Sequence, residues 1–194
     1  TPASWNVALS GAPLFVSGTS KPVTSPPVVT FHPKGGLLVM FGTGKYLETG
    51  DTTTTSTQTM YGVWDYNLTT SVISTNLVQQ VVTNATARTA TQNPVPYSST
   101  VKGWYFDLPV SGERLTGVPT LENGILAFTT IVPSVSPCDF GGKGFVNAVD
   151  FLTGGMLSIP TFDVNRNGVV AQNDGLSAGI EIGFAVGGVT RIRG

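Results

Sequence analysis

Charge is what this sequence has least of. Lysine and arginine together number 10 and aspartate and glutamate 11 in 194 residues, leaving a net charge of −1. So sparse a set lacks the basic stripe needed to neutralise phosphates, and nucleic acid is excluded as a partner. There is a single histidine, His32, and a single cysteine, Cys138. A lone cysteine cannot close a disulfide within the chain. Two readings stay open: a buried free thiol, or a bridge to a cysteine outside this chain in an oxidising compartment. No apolar run approaches the roughly 20 residues of a membrane-spanning helix, and no signal peptide is visible. No window keeps a 3.6-residue period, so almost no helix is expected. The sequence does not begin with Met and opens on strand-like residues, which reads as a piece of a longer protein.

What is abundant is hydrophobic residues, at 40%, with 24 glycines, 13 prolines and many threonines. That is the composition of short strands and turns around a real core. The stretch Phe145–Gly154 (FVNAVDFLTG) reads as a strand ending at Asp150 in a turn closed by Thr153 and Gly154. Tyr61–Asp65 (YGVWD) and Gly103–Leu108 (GWYFDL) repeat the phrase, and Asp65, Asp107 and Asp150 stand 42 and 43 residues apart. A second phrase, a Gly-led apolar strand ending in Thr, occurs at residues 35–43 and 123–130. A strand period near 40–45 residues marks propeller blades. The expected fold is therefore all-β and β-propeller-like, with three to four blades of a larger ring. The modules expected within that one domain are 1–26, 27–67, 68–115, 116–159 and 160–194. The three aspartates are expected at equivalent strand ends of successive sheets, capping turns. Trp64, Trp104 and Tyr105 are expected to pack between blades. A further strand is expected near Val189–Arg193.

The sharpest local motif is Asp163–Asp174, DVNRNGVVAQND. Asp163, Asn165 and Asn167 hold positions 1, 3 and 5, Gly168 allows the turn at position 6, and the Val169 carbonyl falls at position 7. Asp174 takes position 12. This is the spacing by which an EF-hand-like loop gathers oxygens around Ca²⁺, here without flanking helices. Ala171 at position 9 offers no side-chain oxygen, so water must serve there. The competing reading is an Asx-rich turn that binds nothing. Two other matches fail on chemistry. Gly42–Lys45 lacks the spacing of a phosphate loop. Gly175–Gly179 fits GxSxG, but the only histidine lies far upstream at His32.

Several phrases taken in order resemble one family. They are Phe41–Tyr46 (FGTGKY), Tyr61–Asp65, Lys102–Trp104 with Leu108-Pro109, and Gly112–Arg114. Then come Phe128–Ser134 (FTTIVPS) and Pro137-Cys138 followed by Gly141-Gly142. This order is similar to the C-terminal propeller region of the PilY/PilC family of type IV pilus assembly and tip-adhesion proteins. The resemblance implies a non-enzymatic, calcium-binding module at the bacterial cell surface, exported through the periplasm. It implies roles in pilus biogenesis, twitching motility and attachment. Pilins or minor pilins, and a host or abiotic surface, would be the partners. Two readings compete with it. Quinoprotein dehydrogenases use similar propeller turns, but no cofactor-holding concentration of charged groups is visible here. A dockerin-like binder would need a second loop and a following helix.

Overall fold

The structure, a computed structural model, describes residues 7–134, 136 and 142–183. Cys138 and the strand expected near Val189–Arg193 lie outside the described residues. Among those residues there is no α-helix, only strands and short 3-10 turns. The strands are β1 (Val28–Phe31), β2 (Leu37–Gly42), β3 (Thr59–Asp65), β4 (Val78–Gln79), β5 (Ala87–Arg88) and β6 (Gly103–Asp107). They continue with β7 (Arg114–Leu115), β8 (Thr120–Glu122), β9 (Ile125–Val132), β10 (Lys143–Asp150) and β11 (Gly179–Ile182).

Two sheets hold all of them. The first runs β1-β2-β3-β6-β4, and its first four strands are antiparallel neighbours. The second runs β5-β11-β10-β9-β7, with β8 also on β9. β7 and β8 are two halves of one broken strand, since both pair antiparallel with β9 while residues 116–119 stand opposite 128–129. Each sheet is thus a four-stranded meander with one short strand added at its last edge. Both additions, β4 and β5, come from residues 66–102, a long insertion between β3 and β6.

That insertion corrects the expected repeat. Asp65 ends β3 and Asp107 ends β6, and these strands are adjacent in one sheet, Thr59 lying opposite Asp107. Modules 27–67 and 68–115 therefore share the first blade, while 68–115 also gives β5 and β7 to the second, and the described residues form two blades. The equivalence of Asp65 and Asp150 holds. Each ends the third strand of its meander, opposite the first residue of the Gly-led strand: Leu37 for Asp65, Ile125 for Asp150. The Gly-led phrases are β2 and β9. The β8–β9 corner is a two-residue Asn123-Gly124 hairpin with both φ positive, 51° and 80°, the geometry that fits the strand twist.

The core sits between the sheets. Alternation along β2 and β3 sends Leu38, Met40, Met60 and Trp64 to one face, where they meet Leu126, Phe128 and Val149 of the second sheet. Trp104 is fully buried here and its indole N–H donates to the Phe151 carbonyl at 2.9 Å, tying β6 to the corner after β10. The opposite face of β2 and β3 carries Phe41, Tyr61 and Val63. It is covered by Leu14 and Phe15 and by Val72 and Leu77 of the insertion. Burial on both faces explains why these strands read as continuous apolar runs. Trp64 and Trp104 pack as expected; Tyr105 is half-buried on the second face.

Candidate metal centre

Between the β10 corner and β11 the chain has no regular ladder to satisfy its amides. It uses its own Asp and Asn side chains instead. Both carboxylate oxygens of Asp163 accept backbone amides, Asn167 N–H at 3.0 Å and Gly168 N–H at 2.7 Å. The Asn165 side-chain oxygen accepts from Asn167 N–H at 3.0 Å, and that of Asn167 from Val169 N–H at 2.9 Å. Asp174 reaches back across the loop, accepting from Asn165 N–H at 3.1 Å and Ala171 N–H at 2.8 Å. These amide bonds, Ala171 foremost and then Asn165, hold the Asp174 carboxyl below its ordinary pKa. Asp174 is buried whereas Asn165 and Asn167 are exposed. Gly168 sits at φ 88° with open space around it, so the backbone turn alone demands glycine there.

The loop thus aligns side-chain oxygens at positions 1, 3, 5 and 12 on its own amides. All donors in the set are oxygen, the ligand type of a hard divalent cation. No group of three or more His, Cys, Asp or Glu that could hold a metal occurs among the described residues. Within the loop Asp163 and Asp174 supply the negative charge and Arg166, at position 4, a positive one. The residues present fit Ca²⁺ in donor type and spacing, with Ala171 still contributing no side-chain oxygen.

The other candidates separate. Asp150 caps its corner, its Oδ1 accepting from Thr153 N–H at 2.8 Å and from the Thr153 hydroxyl at 2.9 Å. Asp107 instead meets Lys21 at 3.1 Å and the Thr59 hydroxyl, and Asp65 is exposed with no side-chain hydrogen bond among the described residues. Ser177 is buried beside β11, whereas His32 packs in the first blade against Trp64 and Tyr97. Ser177 and His32 therefore form no nucleophile–base pair. Lys45 of the GTGK phrase is engaged by Glu48 and Asp51 at 3.2 and 3.3 Å.

The sequence reading missed the most buried charges. Arg88 of β5 and Glu113 have no exposed side-chain surface and form a two-pronged pair at 2.7 and 2.8 Å. Two opposite charges in a chain this poor in charge were the available signal.

Comparison with known proteins follows the same lines. The family described as the PilY1 beta-propeller domain matches residues 2–93. The type IV pilus biogenesis factor PilY1 of Pseudomonas aeruginosa is 34% identical over 202 aligned residues, which span 87% of this chain. A PilY1 homologue of Xylella fastidiosa is 31% identical across 79% of the chain. The crystal structure of the Pseudomonas aeruginosa PilY1 C-terminal domain superposes with a TM-score of 0.73 at 30% identity, covering 89% of this chain. The chain belongs to the PilY/PilC family. Its fold is the all-β propeller of the PilY1 C-terminal domain. It spans only 17% of the Pseudomonas protein's length, 12% of the Xylella homologue's, and 42% of the solved C-terminal domain.

Proposed function

We propose that this chain is a calcium-binding, non-enzymatic propeller module of a type IV pilus biogenesis protein. It acts at the bacterial cell surface in pilus assembly, twitching motility and attachment. Pilins or minor pilins are its partners, together with the surface to which the pilus attaches. The observation that carries the calcium reading is the cross-loop ladder just described. Asp163 at the start and Asp174 at the end of the loop both point their oxygens at loop amides. The pilus role is supported by relatives that are themselves pilus biogenesis factors.

When bound, Ca²⁺ supplies charge that holds the two carboxylates together. The residues do the rest. Asp163 fixes the turn at Gly168, Asn165 and Asn167 orient the outer half, and Asp174 pins the return to β11. The Val169 carbonyl and water complete the oxygen set. With two carboxylates the affinity falls at the weak end, on the order of 10⁻⁵ to 10⁻³ M. Binding to the folded state alone stabilises it by mass action. Calorimetric titration of the chain with CaCl₂ is expected to show one site, and Asp163→Ala to abolish both the heat and the calcium-induced rise in Tm. A wild-type chain that gives no calcium heat, or a variant that keeps the full rise, would overturn the metal reading.

A further inference from the structure

A cleft in the first blade lies far in sequence from the metal loop. It has a volume of about 490 Å³, within the range of small-ligand sites, and Lys102 is the one charged residue lining it. Lys102 is only 8% exposed. Its backbone is clamped between the first sheet and the insertion: its N–H donates to Asn76 O at 2.7 Å and its carbonyl accepts from Trp64 N–H at 2.7 Å. The ammonium donates to the Tyr66 carbonyl at 3.2 Å and stands 4.9 Å above the Trp64 ring. It has no carboxylate partner among the described residues. An ammonium carries three donors, so two remain without a protein acceptor. Covering a cation without an opposite charge is costly, and the Trp64 face offsets only part of that.

The rest of the wall is uncharged, apolar at Leu68 and Val72 and otherwise mostly able to hydrogen-bond. The side chains of Asn67, Thr69, Thr70 and Ser99 make no hydrogen bond within the described residues, and neither does the Tyr66 hydroxyl. Tyr66 stacks one face on Trp64 with centroids 5.0 Å apart, yet stays 37% exposed. One cation is too few for a phosphate chain, and no second basic side chain lines the cleft. One carboxylate accompanied by several hydroxyls matches it. The exposed part of the Tyr66 ring adds apolar surface beside these polar groups. We infer that this cleft binds a carboxylate-bearing sugar, with Lys102 taking the carboxylate and Asn67, Thr69, Thr70 and Ser99 the hydroxyls. The site uses no residue of the metal loop and is independent of the calcium reading.

Titration of the isotope-labelled chain with D-glucuronate, D-glucose and acetate tests this by amide chemical shifts, in buffer containing EDTA. Glucuronate is expected to move the amides of residues 66–70 and 98–102 saturably. Glucose and acetate are each expected to bind about tenfold or more weakly, the loss of one charge-assisted hydrogen bond or of the hydroxyl contacts. Lys102→Gln should remove binding. Because that residue is buried, the exposed variants Thr70→Val and Thr69→Val serve as the second arm, each weakening glucuronate with an unchanged melting curve. Acetate binding as tightly as glucuronate would reduce the cleft to a plain anion site and overturn the proposal. Absence of shifts at tens of millimolar glucuronate, shifts elsewhere, or unchanged affinity in both exposed variants would also overturn it.

Discussion

Glu113→Ala should be among the most damaging single substitutions in this chain, and the structure sets its size. Glu113 accepts from both terminal nitrogens of Arg88, from the Thr130 hydroxyl and from Val110 N–H at 3.2 Å. Removing it strands a guanidinium with no exposed surface. That group would keep one hydrogen bond, to Asn147 Oδ1 at 3.0 Å, and the Phe145 ring at 3.4 Å, while its Nε already lacks a partner. Deleting one member of a buried pair costs about 3–5 kcal/mol. For a domain of this size each kcal/mol lowers Tm by about 2–4 °C, so the expected drop is about 6–20 °C. Calorimetric or near-ultraviolet melts read it directly. Arg88→Met with Glu113→Leu should recover most of the loss, because an apolar pair needs no counter-charge. A drop in Glu113→Ala below about 1 kcal/mol, the worth of a solvated ion pair, would refute the reasoning.

Burial between Trp64 and Tyr97, and then the nearby Lys34 charge, hold the His32 pKa below 6.5, so the unfolded chain protonates at this site first. Stability present above pH 6.5 is therefore lost as pH falls towards the folded-state value, and His32→Gln should flatten that part of a Tm-against-pH curve. Gly62→Ala would drive its Cβ into the ring of the fully buried Trp104, and urea melts should show a loss of about 1–3 kcal/mol. Asp150→Ala, which unties the Thr153 corner, should cost about 1 kcal/mol, whereas Asp65→Ala should stay within about 0.5 kcal/mol in the same melts.

Where the sequence spoke clearly, it did so through backbone geometry that only a few residues satisfy. The Gly-led strands β2 and β9 and the equivalence of Asp65 with Asp150 follow from glycine corners and runs buried on both faces. The turn at Gly168 was equally plain, because alternate Asp and Asn side chains before a glycine cap their own amides. Asp107 misled because GWYFD is a good strand phrase anywhere in a sheet, and a local phrase does not say which sheet it joins. The insertion was opaque for another reason. β4 and β5 have two residues each, and side chains fix their surroundings: Gln80 bonds to Thr91 and to the backbone of Asn93 and Thr153. Such contacts leave no period to read. The cleft around Lys102 is built from residues 66–72 and 98–102, which the fold alone brings together.

β11 is hydrogen-bonded on one edge to β10 and on the other to β5, a strand that begins some ninety residues earlier. The carbonyls of Arg88 and Thr86 hold Ala178 N–H and Glu181 N–H at 2.7 Å each. A tensile load entering along the chain after β11 therefore meets a strand gripped on both sides, and cannot unzip one ladder at a time. The load passes through the insertion into the first blade, so the two blades resist pulling as a single mechanical unit. Weakening that grip with Glu113→Ala should split the single rupture expected in force spectroscopy into two smaller ones.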